Sequence, residues 1–216
     1  MQRRVWCRDL AYGIGLLATD GCLSSDGRHI EFSSKDLELV INFKKIFKLS
    51  NKITGKSRGG SSGKRYHRIQ FGDVKFYNFL TTIGLFSRKS HTLGVVRVPK
   101  YFFVDFLRGI IDGDGSIGYF MHPESKKKQF KIRITSASRY FLDWLNSKSN
   151  ELLGIKGIVR KITRAYELCF YKGASRHLVE SIYYKPDVIA LQRKHNIAKL
   201  LKSESGETGT RVSLRS

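Results

Sequence analysis

Two stretches decide how this chain folds: Tyr12-Gly-Ile-Gly-Leu-Leu-Ala-Thr-Asp-Gly21 and Phe106-Leu-Arg-Gly-Ile-Ile-Asp-Gly-Asp-Gly115. Each stretch is an apolar run that ends in Asp-Gly, and the second aspartate lies 114 − 20 = 94 residues after the first. An apolar run that stops at glycine is typical of a buried helix and its C-terminal turn. The segments that follow the two copies are also alike, which predicts two versions of one structural unit.

The same order of elements is predicted after each motif: a strand pair, an amphipathic helix, a second strand pair and a closing helix. The clearest of these lie at 29–33, 35–47, 51–56, 65–71 and 74–83, with a Gly/Ser turn at 59–63, and in the second half at 129–135, 139–153, 157–163, 166–171 and 174–183. The predicted fold class is therefore α+β, with two α-β-β-α-β-β-α lobes.

The predicted domain boundaries follow from this repeat. The first lobe spans 1–92, a linker spans 93–101, and the second lobe spans 102–202. The last residues, 203–216, have the composition of a flexible tail. The predicted N-caps of the two middle helices are serines: Ser33 or Ser34, and Ser138.

The composition excludes several classes of protein. The chain carries 40 Lys+Arg against 18 Asp+Glu, a net charge of +22, together with 41% hydrophobic residues. A folded surface with this charge needs a polyanionic partner, and nucleic acid is the leading candidate. No apolar run approaches the length of a membrane span and no signal peptide is recognisable, so we expect an intracellular protein without a membrane partner. The cysteine and histidine spacings indicate neither a disulfide framework nor a structural zinc site.

Alternation along the strands predicts one basic face on each sheet. Ile69 and Phe71 share a face opposite Arg68, and Ile132 lies opposite Arg133. A basic sheet face of this kind can enter the major groove of DNA, although an ordinary solvated face is the alternative. The net charge favours DNA. The candidate base-contacting residues, each with a phosphate or water contact as its alternative role, are Ser24, Lys52, Thr54, Tyr66, Arg68, Gln70, Lys131 and Arg133.

The aspartates that end the two motifs are the candidate metal ligands. A carboxylate is unfavourable at a helix C-terminus, which already carries partial negative charge and unpaired carbonyl groups. If the two motif helices pack side by side, Asp20 and Asp114 converge into an all-oxygen site suited to Mg²⁺. A single Asp-Gly is typical of a helix end followed by a turn, but two copies in register favour a shared site.

The motif glycines point to close packing of the same two helices. Gly15 and Gly109 each lie five residues before the final aspartate. Glycine inside a helix costs about 1 kcal/mol relative to alanine, so its presence indicates that another backbone approaches there. Asp112 has no counterpart in the first motif, where Ala18 stands, and we interpret it as an accessory polar residue.

The two motifs resemble those of the LAGLIDADG homing endonucleases in their single-chain, two-motif form. Leu107–Gly115 is close to the family signature and Gly13–Gly21 departs from it more, but both keep the motif glycines and the final Asp-Gly. The resemblance covers about residues 8–201. It implies a monomer with two pseudo-twofold-related lobes, a saddle of antiparallel strands on double-stranded DNA, and motif helices at the lobe interface. No protein partner is expected.

The resemblance also implies an activity. Members of the family hydrolyse both strands of a long, asymmetric DNA site with Mg²⁺ and leave 3′ overhangs; Mn²⁺ is expected to substitute, and Ca²⁺ to bind without supporting cleavage. By position in the motif, the metal ligands are Asp20 and Asp114. The candidates for the basic catalytic residues are Lys89 and Lys194, with the adjacent Arg88 and Arg193 next. Neutralisation of a phosphate, or simple solvation, is the alternative for Lys194.

Several other functions compete with this one. A non-cleaving DNA-binding protein or an intron-splicing maturase would share the fold; the retained aspartates argue against simple loss of catalysis but leave an RNA role open. An intein needs His-Asn followed by Cys, Ser or Thr, whereas His195-Asn196 precedes Ile197. A GIY-YIG nuclease needs its first element in the opposite order to Tyr12-Gly-Ile14.

Overall fold

The computed structural model describes residues 5–57, 65–89, 91–121, 124 and 126–207. The first lobe consists of α1 (Arg8–Asp20), β1 (Gly21–Leu23), β2 (His29–Ser34), α2 (Leu37–Ile46), β3 (Thr54–Ser57), β4 (Arg65–Gly72) and α3 (Val74–Thr82). The second lobe consists of α4 (Phe103–Asp114), β5 (Gly115–Met121), β6 (Lys128–Ser136), α5 (Arg139–Leu153), β7 (Ile158–Ile162), β8 (Ala165–Tyr171), α6 (Lys172–Ile182) and α7 (Gln192–Glu207). The predicted α+β class and the two-lobe order are confirmed, and the second lobe carries one further helix, α7, that was not predicted.

Each lobe contains a four-stranded antiparallel sheet with the same strand order. The orders are β1-β2-β4-β3 and β5-β6-β8-β7. The registers also correspond, because Gly21 pairs with Phe32 just as Gly115 pairs with Ile134. The residue that follows each motif aspartate therefore begins the first strand of its sheet, and this fixes the aspartate beside the sheet.

The strand alternation predicted from the sequence appears in the burial of the side chains. Ile69 and Phe71 of β4 and Ile132 of β6 are buried against the helices. Arg68 and Arg133 lie on the opposite faces and are partly exposed. Helices cover one face of each sheet because only that face is apolar, and the basic faces are left uncovered by the described part of the chain.

The motif helices α1 and α4 pack against each other where the two lobes meet, through their glycines. A Cβ atom placed on Gly15 would lie 2.9 Å from the Cα of Gly109 and would overlap the carbonyl oxygen of Phe106. A Cβ atom on Gly109 would lie 3.0 Å from the Cα of Gly15 and would overlap the carbonyl oxygen of Tyr12. The backbones touch directly, so no larger residue fits at either position without separating the helices.

Three local predictions need correction or fall outside the described residues. The N-cap of α2 is Asp36 rather than Ser33 or Ser34, because β2 continues to Ser34. The other predicted N-cap is confirmed: Ser138 caps α5, and its Oγ accepts from the Phe141 N–H at 3.3 Å. Helix α7 runs to Glu207 and so includes the first five residues of the tail predicted at 203–216; the rest of that tail, and the 59–63 turn, lie outside the described residues.

The connection between the lobes contributes to the core. Leu93 and Val96 of the predicted linker are buried, and a 3₁₀ turn at Lys100–Phe102 leads into α4. Among the described helices, none combines the length and apolar character needed to cross a membrane.

Candidate functional site

Asp20 and Asp114 are the last residues of α1 and α4 and lie at the same end of the helix pair. A Cβ atom placed on Gly113 would lie 3.1 Å from the Asp20 Oδ2, so the Asp20 carboxylate reaches the end of the other motif helix. The chain turns into β1 and β5 at Gly21 and Gly115, whose N–H groups close the last helical turns. The structure therefore brings the two predicted metal ligands together at the lobe interface.

The surroundings make both carboxylates weaker acids than usual, although Asp20 is only half-buried and Asp114 is exposed. Loss of solvation, together with the neighbouring Asp114 charge, raises the pKa of Asp20 from 3.8 to about 7, against the lowering effect of Lys194 and Lys89. Partial desolvation also raises the pKa of Asp114, while Lys89 and Lys194 act in the opposite direction. Two carboxylates held at the same end of the helix pair form an oxygen donor set that fits a hard divalent cation such as Mg²⁺. No group of three or more His, Cys, Asp or Glu side chains forms a metal site within the described ranges.

Each motif helix ends against a buried lysine from its own lobe. Lys89 donates to the carbonyl oxygen of Gly21. Lys194 donates to three carbonyl oxygens, those of Ile111 at 2.6 Å, Asp112 at 2.8 Å and Gly115 at 2.6 Å. An ammonium group at a helix C-terminus opposes the partial negative charge there. The predicted basic candidates thus lie at equivalent positions next to the aspartates.

The lysines are themselves perturbed by this environment. Burial lowers the pKa of Lys194 to about 8, against the raising effect of Asp112. Burial also lowers the pKa of Lys89, although the neighbouring Cys22 and Asp20 raise it. At neutral pH the Lys194 ammonium remains mostly protonated and can donate hydrogen bonds. Its proton is held less firmly than that of an exposed lysine.

The neighbouring arginines do not share this position. Arg193 pairs with Asp36 of the first lobe, with Nη2–Oδ2 and Nε–Oδ1 distances of 2.9 and 3.2 Å. Arg88 is exposed and has a positive φ of 55°. The two lysines are therefore the basic residues that the fold places beside the aspartates.

Asp112 has a larger structural role than its sequence position indicated. Its carboxylate is fully buried and accepts from the Tyr12 hydroxyl at 2.8 Å, the Tyr183 hydroxyl at 3.2 Å and the Leu191 N–H at 2.7 Å. Burial raises the pKa of Asp112 to about 6. The sequence shows Asp112 as an aspartate inside an apolar run, but it does not show the hydrogen-bond partners, which lie up to 100 residues away.

Most of the predicted base-contacting residues lie on the uncovered sheet faces. In the first lobe, Arg68 bonds Thr54 at 3.4 Å and pairs with Glu31 at 3.5 Å, and Lys35 lies over the Tyr66 ring. Also in the first lobe, Gln70 is exposed on β4, Ser24 follows β1, and Lys52 is exposed before β3. In the second lobe, Lys131 lies over the Tyr171 ring. Arg133 lies over the Phe120 ring and bonds Ser116 at 3.3 Å. Ser24 and Lys52 therefore lie outside the strands.

A cluster of ion pairs on the second sheet, between Glu167 and two arginines, was not predicted. The Nε and Nη2 atoms of Arg160 donate to Glu167 Oε1 at 2.9 and 2.6 Å, and the Arg133 Nη1 lies 3.7 Å from Glu167 Oε2. The register makes Glu167 the counterpart of Arg68, and Arg133 the counterpart of Glu31. An ion pair thus occupies the same two positions in both lobes, but the acidic and the basic residue have exchanged places. An open cavity of about 850 Å³ lies on this face, lined partly by these arginines.

Comparison with solved structures settles the fold. I-WcaI, a homing endonuclease bound to its DNA recognition sequence, matches with a TM-score of 0.63 and 9% identity over 91% of this chain and 88% of that one. I-DmoI, in complex with DNA and Ca, matches with a TM-score of 0.55 and 15% identity over 91% and 97%. The chain has the LAGLIDADG fold. The predicted resemblance is confirmed at this level.

Two further likenesses involve larger proteins. Full-length DUF199/WhiA from Thermatoga maritima has a TM-score of 0.60 and 16% identity over 94% of this chain, which spans 63% of the WhiA structure. An A-type ATP synthase protein of Methanopyrus kandleri is 23% identical over 175 residues, which make up 81% of this chain and 16% of that protein. No family model matches the sequence. The LAGLIDADG fold therefore rests on the structures.

The raised pKa of Asp20 predicts that the metal-free protein loses stability as the pH rises from about 4 to about 7. The folded-state pKa of about 7 lies above the ordinary 3.8, so the folded protein holds this proton over that window. Stability present at low pH is lost over this window because the Asp20 carboxyl of the unfolded chain ionises while that of the folded protein stays protonated. Asp20→Asn should remove the Asp20 part of this loss and leave the parts due to Asp112 and Asp114. Urea unfolding of both proteins across the window measures the difference, and parallel pH profiles would contradict the assignment.

Proposed function

We propose that this protein is a metal-dependent, site-specific endonuclease that hydrolyses both strands of duplex DNA and leaves 3′ overhangs. The observation that carries the proposal is the pair of carboxylates with raised pKa values, half-buried Asp20 and exposed Asp114, at the ends of two touching helices. Holding two like charges with raised pKa values together destabilises the fold unless a ligand offsets the cost, which is typical of a functional site. The LAGLIDADG fold and the DNA bound to its neighbours agree with this function.

The residues divide the work at the lobe interface. Asp20 and Asp114 would hold Mg²⁺, with Mn²⁺ as a substitute and Ca²⁺ as a ligand that does not support cleavage. The bound metal would stabilise the negative charge that develops on the attacking and leaving oxygens of the phosphodiester. Lys89 and Lys194 would oppose the negative charge of the helix ends beside the two phosphates to be cut. The three donors of the Lys194 ammonium are taken by backbone carbonyl oxygens, so Lys194 would act through its charge.

The two sheets would bind the two halves of the target in the major groove. Exchange of the charges between Glu31–Arg68 and Arg133–Glu167 places different donors at equivalent positions of the two lobes. An arginine presents a fork of donors to guanine, whereas the position occupied by a carboxylate cannot do so. The two half-sites should therefore differ in sequence, and the target should be asymmetric.

Duplex binding should depend steeply on salt. With a net charge of +22 and two basic faces, we expect a footprint of roughly ten phosphates and a slope near −9 in log K against log salt. Fluorescence anisotropy with one labelled duplex, titrated at salt concentrations from about 50 to about 300 mM, measures the slope. A slope near −2 would mean that the basic faces do not bind the backbone.

The proposal is tested with a diverse duplex library that includes DNA joined from the sequences flanking the gene. The purified protein is incubated with the library in Mg²⁺ and, separately, in EDTA, and new DNA ends are sequenced. A discrete double-strand cut with 3′ overhangs at one asymmetric site, absent in EDTA, is expected. Recovery of one tightly bound sequence without any cut in Mg²⁺ would overturn the endonuclease assignment.

A binding protein of the same fold, including an intron-splicing maturase, is the second candidate. The likeness to WhiA, which extends over 94% of this chain, supports it. The maturase role predicts faster splicing of the host intron RNA when the protein is added. Unchanged splicing together with DNA cleavage would remove this candidate.

A further inference from the structure

The segment that leads into Lys194 is held by both lobes. Within its own lobe, Asp112 accepts from the Leu191 N–H at 2.7 Å, and the Arg108 Nε donates to the Ile189 carbonyl at 2.9 Å. Arg108 is 1% exposed and Asp112 is fully buried, so these anchors are rigid. Tyr183 adds a contact of the same lobe at the start of α7, since its ring stacks on that of His195 with centroids 4.7 Å apart.

Further contacts come from the first lobe, from the N-cap of α2 and from α2 itself. Asp36 takes both nitrogens of the Arg193 fork, and the Glu38 carboxylate accepts from the Gln192 N–H at 3.0 and 3.2 Å. The Gln192 N–H is one of the four unpaired donors at the start of a helix, and a carboxylate from the other lobe satisfies it. The Asn42 side chain adds a 3.3 Å bond to the Ala190 carbonyl.

These contacts define the helix start in both position and orientation. A bidentate arginine–carboxylate pair fixes the plane of both groups, which a single bond does not. The Arg193 guanidinium also keeps the pKa of Asp36 below its ordinary value, so the carboxylate stays charged. We call Asp36, Glu38, Gln192 and Arg193 the cross-lobe clamp.

An equivalent contact runs in the opposite direction. The Ser138 Oγ, at the N-cap of α5 in the second lobe, donates to the Leu93 carbonyl at 2.6 Å. Leu93 lies four residues after Lys89, and its N–H bonds the Lys89 carbonyl at 2.7 Å. The start of the middle helix of each lobe therefore holds the lysine-bearing segment of the other lobe.

We propose that Asp36 and Glu38 are positioning residues for Lys194, so that the first lobe controls cleavage at the half-site served by the second lobe. The inference rests on the proposed function. Lys194 itself makes three short contacts at the end of α4, and a small displacement of α7 would break them together. Loss of the clamp should therefore slow the cut beside Lys194 and leave the cut beside Lys89 unchanged.

The test is the Asp36→Asn, Glu38→Gln double variant, assayed in single turnover on the cleaved duplex with each strand labelled separately. We expect one strand to be cut about tenfold more slowly, within the range for misplaced catalytic groups, with the other strand and the Kd unchanged. Asp143→Asn is the matched control, because it removes the exposed Arg139–Asp143 pair on α5. Exchanging the partners, in Asp36→Arg with Arg193→Asp, should restore part of the lost rate.

Equal rates for both strands in the double variant, whether normal or slowed together, would overturn the proposal. A second measurement separates this outcome from failure of the proposed function. If the wild-type protein cuts no DNA, amide hydrogen exchange of wild-type and double-variant protein still reports the clamp. Faster exchange confined to residues 190–195 is expected, and unchanged exchange there would contradict the positioning role.

Discussion

Asp20→Asn and Asp114→Asn should each abolish cleavage of both strands, lowering the single-turnover rate by about 10³-fold or more, which corresponds to about 4 kcal/mol of transition-state stabilisation. Asparagine keeps the size of the side chain and one oxygen but removes the charge that would hold a divalent cation. Because the two carboxylates lie together at one lobe interface, either substitution should affect both strands. The rates are measured on the duplex recovered from the library.

The same variants separate catalysis from binding and folding. Both should bind the duplex as tightly as wild type, and both should unfold at higher temperature in the absence of metal, because the repulsion between two neighbouring carboxylates is removed. Asp187→Asn, at an exposed position, is the control and should cut normally. Retention of double-strand cleavage by either variant would show that the active site lies elsewhere.

Gly15→Val and Gly109→Val should each destabilise the protein by about 3 kcal/mol or more, at the upper end for overpacked cores. The new side chain would overlap the backbone of the opposite motif helix rather than a movable side chain, so rotamer changes cannot relieve it. The helices would have to separate, and the two aspartates with them. Urea unfolding measures the loss of stability, and cleavage should fall in the surviving folded protein.

A glycine with open space around it supplies the control for these variants. Gly173 lies in α6 and a Cβ atom there would meet nothing within 4 Å. Gly173→Ala should leave stability unchanged or raise it by up to about 1 kcal/mol, from helix propensity. Equal stability of the Gly15→Val and wild-type proteins would mean that the motif helices do not touch as described.

Much of the fold follows from local pattern. The repeated Asp-Gly motifs predicted two matching units, and strand alternation placed Ile69 inside and Arg68 outside before any contact was known. These features depend on periods of 3.6 and 2 residues, which a sequence displays directly. Helix α7 was not predicted, and its polar, Ser- and Glu-containing end has no apolar periodicity to mark it as helical.

The site was only partly predictable, for a physical reason. Asp20 and Asp114 could be paired because the motif is repeated, whereas the partners of Asp112 and Asp36 come from distant parts of the chain. Tyr12 lies 100 residues from Asp112, and Arg193 lies 157 residues from Asp36. Such contacts are created by docking of the lobes, and no local period encodes them. The exchanged ion pairs were missed because they need the strand register.

The most direct measurement of metal ligation is the metal preference of Asp114→Cys. Thiolate is a soft ligand and carboxylate a hard one, so the substitution should shift preference from Mg²⁺ toward Cd²⁺. Single-turnover cleavage of the recovered duplex is measured in each metal for the variant and for wild type. If Asp20 and Asp114 hold the metal together, the variant should be inactive in Mg²⁺ and active in Cd²⁺, so that its ratio of Cd²⁺ to Mg²⁺ rates exceeds that of wild type. Cleavage by the variant in Mg²⁺ at the wild-type rate would contradict ligation by Asp114.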